Sequence, residues 1–195
     1  PYPPITVVLS WSKLIASAYL DENGLADVRV HPMLVSKKST LAHIDYVTNA
    51  VSLSGHPVGN ITLSGPGAGE FPTASSVVGD ILAIAAEIGK SDYILPMMRC
   101  KHSQNAQMKD ISQTINKYYI SINAKNNKGV IGKIGTICAN HDISLASIVQ
   151  RCVSEDNTAD ITVITELVKE ENMQKAIKLI EQDGNKVNSL IRVQV

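Results

Sequence analysis

The sequence has few aromatic residues and no excess of either charge, which argues against several classes of binding protein. Its 195 residues include one Phe, one Trp and six Tyr, and 18 Lys and Arg residues are balanced by 18 Asp and Glu residues. Because there is no basic run to follow a phosphate backbone, we expect neither nucleic acid nor an anionic membrane surface as a partner. No apolar run approaches the roughly 18 residues of a membrane-spanning helix.

Cysteine is also scarce, and its spacing argues against two kinds of structural site. The three cysteines are far apart and form no C-x-x-C pair, so neither a disulfide framework nor a zinc site is indicated. This usage fits a reducing, cytoplasmic compartment. We predict no metal site.

The first 90 residues change from a strand period to a helix period. Three short β-rich runs between residues 25 and 65, separated by Gly and Pro, predict a β-meander. From Thr73 onward apolar residues recur at helical spacing, and Thr73 is the predicted N-cap of that helix. Residues 1–90 are therefore expected to form one unit of strands followed by a helix.

The second half of the chain has a more regular pattern. Residues 91–116 lose periodicity, which predicts a linker, and residues 117–195 show the order β-α-β-β-α-β. Such an order makes a four-stranded antiparallel sheet covered on one face by two helices. The predicted class is α+β with a ferredoxin-like C-terminal domain. The residues expected to face inward from the two helices are Val130, Ile131, Ile134 and Ile137, and Met173, Ala176, Ile177 and Ile180.

The stretch NITLSGPGAGEFPTASSVVGD, residues 60–80, resembles a phosphate-binding turn at first sight. Gly65 and Gly67 fill the first two places of G-x-G-x-x-G, but Glu70 stands at the third, so the dinucleotide fingerprint fails. Two interpretations remain. The glycines either shape a tight strand-to-helix corner, or they let a ligand approach the backbone at the N-terminus of the helix.

A second candidate site is the turn NNKGV, residues 126–130, between the first strand and first helix of the C-terminal domain. Its backbone N–H groups are suited to a carboxylate. Asn126 is also a candidate helix cap, so a simple capped turn is the alternative. No general-base pair, P-loop or metal cluster occurs in residues 117–195.

Two segments carry a resemblance to a known family. VRVHPMLV (28–35) and VTNAVSLSGHPVGNITLSGPGAGEFPTASSVVGDI (47–81) closely resemble the C-terminal part of the catalytic region of homoserine dehydrogenase. Residues 117–195 resemble an ACT domain of the kind fused to that enzyme. The resemblance implies a catalytic and dimerisation segment at 1–90, a linker at 91–116 and an ACT regulatory domain at 117–195. Residues 1–18 do not follow the family's pattern.

The family reduces aspartate 4-semialdehyde to homoserine with NADP or NAD as cofactor, on the route to threonine, methionine and isoleucine. The resemblance implies that Gly69, then Gly67 and more weakly Thr73 contact the cofactor. The family's Rossmann unit and catalytic lysine have no counterpart in this sequence, so no catalytic residue is assigned. The chain is expected to be inactive alone.

For the C-terminal domain the resemblance implies an amino-acid effector, threonine first, held by Asn126, Gly129 and Val130. Asn126 and Lys128 stand where the family pattern has Asp and Pro, and Asp142 stands where it has a left-handed Gly. The family resemblance also implies homo-oligomers formed through the meander and the ACT domains. The alternative function is a non-catalytic amino-acid sensor.

Overall fold

The computed structural model describes residues 10–88, 105–153 and 157–194. They fall into two compact units. The first combines the chain up to Ser36 with the chain from Ala106, and the second spans the residues from Lys37 to Asn105. We describe each unit by itself.

The C-terminal part of the first unit has the predicted βαββαβ order. In chain order its elements are β5 (Ile115–Lys125), α2 (Val130–Ala139), β6 (Leu145–Val153), β7 (Thr158–Thr165), β8 (Val168–Lys169), α3 (Glu170–Gln182) and β9 (Lys186–Val193). The strands β9, β5, β7 and β6 lie side by side and pair antiparallel, while the short β8 pairs with the start of β5. The α+β class with a ferredoxin-like C-terminal domain is confirmed.

The core of this domain follows from the two periodicities in the sequence. Alternate residues of β5 are buried, because successive strand side chains point to opposite faces of a sheet. The buried residues of the two helices are Val130, Ile134 and Cys138 from α2, and Glu170, Met173, Ala176 and Ile180 from α3. Ile137 and Ile177 are partly buried against the same core. Ile131 was expected to face inward but is 37% exposed.

Helix α2 ends in a Schellman motif. The N–H of Asp142 donates to the carbonyl of Ala139 at 3.2 Å, and the N–H of Ile143 donates to the carbonyl of Cys138 at 3.0 Å. Asp142 has a φ of 56°, which is the left-handed conformation expected at the position where the family pattern has glycine. Cys138 and Ile143 are both buried in the core, and such an apolar pair commonly accompanies the motif.

An N-terminal hairpin extends the same sheet. Its strands are β1 (Ser10–Leu20) and β2 (Ala26–Ser36), which pair antiparallel along their whole length. Strand β2 then pairs parallel with β9 at Met33–Arg192 and Leu34–Val193. The full strand order is β1-β2-β9-β5-β7-β6.

This arrangement differs from the predicted meander and linker. Strand β2 pairs with β1 on one side and with β9, the last strand of the chain, on the other, and not with the β-rich runs that follow it in the sequence. The end of the predicted linker is also structured, because Ala26 forms a parallel bridge with Met108. The compact units therefore do not follow the 1–90 and 117–195 boundaries, which remain a prediction about the family's domains.

The second unit contains a two-stranded hairpin and a helix. Strands β3 (Thr48–Gly55) and β4 (Gly59–Pro66) pair antiparallel, and α1 (Glu70–Glu87) follows directly. The helix begins at Glu70, and its N-cap is Gly69, four residues before the predicted N-cap Thr73. No residue of α1 is buried, and the helix exposes Phe71, Val77, Val78, Ile81, Leu82 and Ile84.

Candidate functional site

The turn between β5 and α2 is shaped by one glycine. Gly129 has φ 88° and ψ 0°, a left-handed conformation that a side chain disfavours. The carbonyl of Gly129 accepts a hydrogen bond from the N–H of Lys133 at 3.0 Å, and the N–H of Val130 donates to the carbonyl of Asn127 at 3.2 Å. Gly129 is thus the N-cap of α2, and the prediction of Asn126 as the cap is wrong.

A cavity of about 450 Å³ lies at this turn. The three residues predicted to hold an effector all line it. Its lining residues are Asn126, Asn127, Lys128, Gly129, Val130, Ile131 and Gln150. The structure therefore brings together Asn126, Gly129 and Val130 around one space.

Gln150, on strand β6, also lines the cavity and was not predicted from the sequence. Its Nε2 donates to Oδ1 of Asn126 at 3.1 Å across a separation of 24 residues. This exposed hydrogen bond joins the two amides at the edge of the cavity. The one local signal was a glutamine that follows an apolar run in the predicted strand ISLASIVQRC.

The lining of the cavity favours a polar ligand that carries a negative group. Its lining residues include three with amide side chains and one lysine, Lys128, and none of them is acidic. The N-terminus of α2 adds a partial positive charge of about half a unit. A carboxylate is therefore favoured near Gly129, while the amides offer both donors and acceptors to the rest of a small ligand.

The predicted cofactor residues lie together at a different place, the corner between β4 and α1. A Cβ built on Gly67 would lie 1.5 Å from Nδ2 of the exposed Asn49 side chain, so any larger residue at this position would force Asn49 to move. Gly69 has a φ of 126°, which again favours glycine. The hydroxyl of Thr73 donates to the carbonyl of Gly69 at 2.7 Å. Thr73 therefore stabilises the first turn of α1 but does not cap the helix.

The corner accounts for its glycines without a ligand, but its backbone is open to one. Gly67, Gly69 and Thr73 are all exposed. Glu70 lies in the first turn of α1, and its charge opposes a phosphate at this helix terminus. The corner is therefore better suited to contact an uncharged group than to bind a phosphate.

Across the described ranges, no group of three His, Cys, Asp or Glu residues is placed to hold a metal ion. None of the helices described is long and apolar enough to cross a membrane.

Two family models match the chain, and they divide it between them. A model described as "Homoserine dehydrogenase" matches residues 10–82, and one described as "ACT domain" matches residues 118–185. Residues 10–82 thus match the homoserine dehydrogenase family, and residues 118–185 match the ACT domain family. The first match includes β1, so the expectation that residues 1–18 depart from the family's pattern is wrong for residues 10–18.

Homoserine dehydrogenases from several organisms match most of this chain, but the matching region is less than half of each relative's own length. The homoserine dehydrogenase of Synechocystis sp. is 34% identical over 178 residues, which are 89% of this chain and 41% of the relative. That of Neisseria gonorrhoeae is 33% identical over 158 residues, which are 80% of this chain and 36% of the relative. A solved homoserine dehydrogenase from Thiobacillus denitrificans superposes with a TM-score of 0.79 at 30% identity, covering 95% of this chain and 42% of that one. The chain thus spans about two fifths of the length of these homoserine dehydrogenases.

Proposed function

We propose that this chain supplies the end of the catalytic region and the regulatory domain of a cytoplasmic homoserine dehydrogenase. That enzyme would reduce aspartate 4-semialdehyde to homoserine with NADPH or NADH. The observation that carries the regulatory part is the cavity at the β5–α2 turn, which gathers Asn126, Gly129 and Val130 with Gln150. Its amides and single cation suit a small amino acid with a hydrogen-bonding side chain, and threonine is the first choice.

In this assignment the residues around the cavity have separate roles. The backbone at Gly129 and Val130 and the Lys128 ammonium would hold the carboxylate of the amino acid. Asn126 and Gln150, already held by their mutual hydrogen bond, would select for a hydroxyl because an aliphatic side chain would leave their polar atoms unpaired. Val130 and Ile131 are the aliphatic residues available to a methyl group.

The effector assignment can be tested by the thermal unfolding of the full chain with threonine, isoleucine or methionine. A ligand that binds only the folded state stabilises it by about 2.7 kcal/mol at a hundredfold excess over Kd. Threonine should raise the Tm of the wild type, Gln150→Ala should weaken this shift, and the exposed Gln182→Ala serves as the control. If none of the three amino acids raises the Tm, the effector assignment is wrong.

We also propose that the corner at Gly69 contacts the nicotinamide end of the cofactor in the enzyme. Gly69 is favoured over Gly67, because the missing Cβ of Gly67 is explained by Asn49. The cofactor supplies the hydride, and the exposed backbone at Gly69 would position its ring. Since the sequence contains no dinucleotide fingerprint, NADPH titrated into this chain at millimolar concentration should show no saturable binding. Saturable binding would show that the cofactor site is complete here.

Association with further copies of the chain is proposed on the exposed apolar side chains of the second unit. The β3–β4 hairpin alone exposes Val51, Leu53, Ile61 and Leu63, and contiguous apolar surface of this kind marks interaction sites. Analytical ultracentrifugation should show a dimer or larger species, and Leu53→Lys should shift it toward the monomer. A wild-type chain that sediments as a monomer at high concentration would contradict this proposal.

A further inference from the structure

A series of buried polar side chains crosses the first unit from the N-terminal hairpin to helix α3. Its first cluster lies on the hairpin, where the Asp27 carboxylate is 2% exposed. The hydroxyl of Tyr19 donates to Oδ2 of Asp27 at 2.7 Å, and Nη2 of Arg29 donates to the same oxygen at 2.6 Å. The hairpin therefore carries a buried ion pair.

The second cluster lies at the start of α3. The Glu170 carboxylate accepts hydrogen bonds from the hydroxyl of Tyr118, from Nη2 of Arg192 at 2.7 Å and from Nε2 of Gln174 at 2.8 Å. Burial acts to raise the pKa of Glu170, but these three hydrogen bonds outweigh it and leave the pKa below its ordinary value. Glu170 is thus held as a carboxylate inside the ACT domain.

One amide connects the two clusters. Oδ1 of Asn116 accepts from Nη1 of Arg29 at 3.1 Å, and Nδ2 of Asn116 donates to the hydroxyl of Tyr118 at 3.1 Å. Asn116 is 9% exposed, so loss of either bond would leave a largely buried polar atom without its partner. We call the series Asp27–Arg29–Asn116–Tyr118–Glu170 the polar bridge.

The polar bridge matters because the backbone attachment of the hairpin is small. Strand β2 pairs with β9 at two positions near its end, and Ala26 at its start bonds to Gln107 and Lys109. Between these two points, the contacts of Arg29 with Asn116 and Thr114 join β2 to β5. Side chains rather than a continuous ladder therefore hold the middle of the hairpin.

We propose that the polar bridge makes the β1–β2 hairpin and the ACT domain one cooperative folding unit, so that a ligand in the cavity at α2 stabilises the hairpin as well. A ligand that binds only the folded form stabilises every part that unfolds together with its site. The coupling of the hairpin to the ACT domain follows from the contacts of the polar bridge and needs no ligand. The part that concerns a ligand rests on the proposed effector function.

The test is amide hydrogen exchange of the full chain, compared between β2 and the strands β5 and β7. If the hairpin opens only together with the ACT domain, the slowest amides of β2 exchange with the same protection as those of β5 and β7. Exchange of β2 that is a hundredfold faster than that of β5 in the wild type would overturn the proposal.

Asn116→Leu tests whether the polar bridge is the connection, since it removes the amide and leaves both ion pairs in place. We expect exchange of β2 to accelerate about tenfold or more relative to β5, from the strength of a hydrogen bond to a charged group. The matched control is Asn123→Leu on the same strand, whose amide bonds to Asp160 instead, and it should not change the ratio. An Asn116→Leu variant that changes β2 and β5 equally would overturn the role of the polar bridge. Arg29→Gln takes its place if Asn116→Leu does not fold.

Threonine separates this inference from the effector assignment. In the wild type it should slow exchange in β5 and β2 by the same factor, and in Asn116→Leu it should slow β5 alone. Slowing of β5 without β2 in the wild type would overturn the proposal. If threonine slows neither strand, the effector assignment fails, while the comparison of wild type with Asn116→Leu still decides whether the hairpin is coupled.

Discussion

Replacing Gly129 by alanine isolates the backbone requirement of the proposed effector turn. A Cβ at this position meets no heavy atom within 4 Å, so the substitution introduces no steric clash with the rest of the protein. Its cost comes from the φ of 88°. The left-handed conformation costs an L-residue roughly 1–2 kcal/mol, while the lower entropy of the unfolded chain returns roughly 0.4–1 kcal/mol. We expect Gly129→Ala to lower the free energy of unfolding by about 1 kcal/mol.

Gly132 provides a matched control within the same helix. It lies inside α2, and a Cβ there also meets nothing within 4 Å. Because its backbone is helical, Gly132→Ala should raise the free energy of unfolding by roughly 0.5–1 kcal/mol. The two Gly-to-Ala changes, three residues apart, are thus expected to have opposite signs.

The assay is urea unfolding followed at the methyl signals of Ile120 and Ile122, which are buried in the ACT core and report on this unit alone. Threonine binding is measured on the same variants. Gly129→Ala should also weaken binding, because relaxation toward a negative φ would move the N–H groups that face the cavity, whereas Gly132→Ala should leave it unchanged. If Gly129→Ala is as stable as the wild type, the turn does not need a left-handed residue and the reasoning fails.

Three further predictions concern other positions. Asp142→Gly should raise the free energy of unfolding by about 0.5 kcal/mol in urea, because it relieves the left-handed φ at the end of α2; a loss of stability would contradict this. Burial and the hydrogen bond to Glu170 raise the pKa of Tyr118 to about 12, so the stability that its neutral hydroxyl contributes is complete below about pH 10 and lost as the pH rises toward 12. Tyr118→Phe should flatten this alkaline loss in a Tm-versus-pH series, and an unchanged slope would exclude Tyr118 as its source. Gly67→Ala should cost about 1 kcal/mol by overpacking against Asn49, and Asn49→Ala in the same chain should restore the stability, measured as Tm; failure of the rescue would mean that Asn49 is not what limits the site.

The ACT domain could be predicted from the sequence because its signals are local. Alternation along β5 and the helical spacing of Met173, Ala176 and Ile180 each lie within one element, and they identify both the element and its buried face. The left-handed conformation of Asp142, with its φ of 56°, was expected from the family resemblance, because the family pattern has glycine at this position. Ile131 was misplaced because the period of α2 alone does not say how wide the buried stripe is.

The features that the sequence did not reveal depend on distant partners. Strand β2 pairs with β9 at the other end of the chain, and nothing in either strand's own pattern marks that partner. Gln150 reaches the cavity only because of the way that β6 folds back beside the turn. At α1 the N-cap is Gly69 and not Thr73, because the φ of 126° at Gly69, which a glycine adopts readily, allows the chain to turn into the helix four residues earlier.

The β1–β2 hairpin is also connected to both points at which the chain passes from the first unit into the second. The second unit, which carries that corner, is an insertion between Ser36 and Ala106, so both of its chain ends are attached to the first unit. One end follows β2 directly, and the other leads to Gln107, whose carbonyl accepts from the N–H of Ala26 in the same hairpin. If the hairpin unfolds only with the ACT domain, a ligand in the cavity constrains both attachments at once.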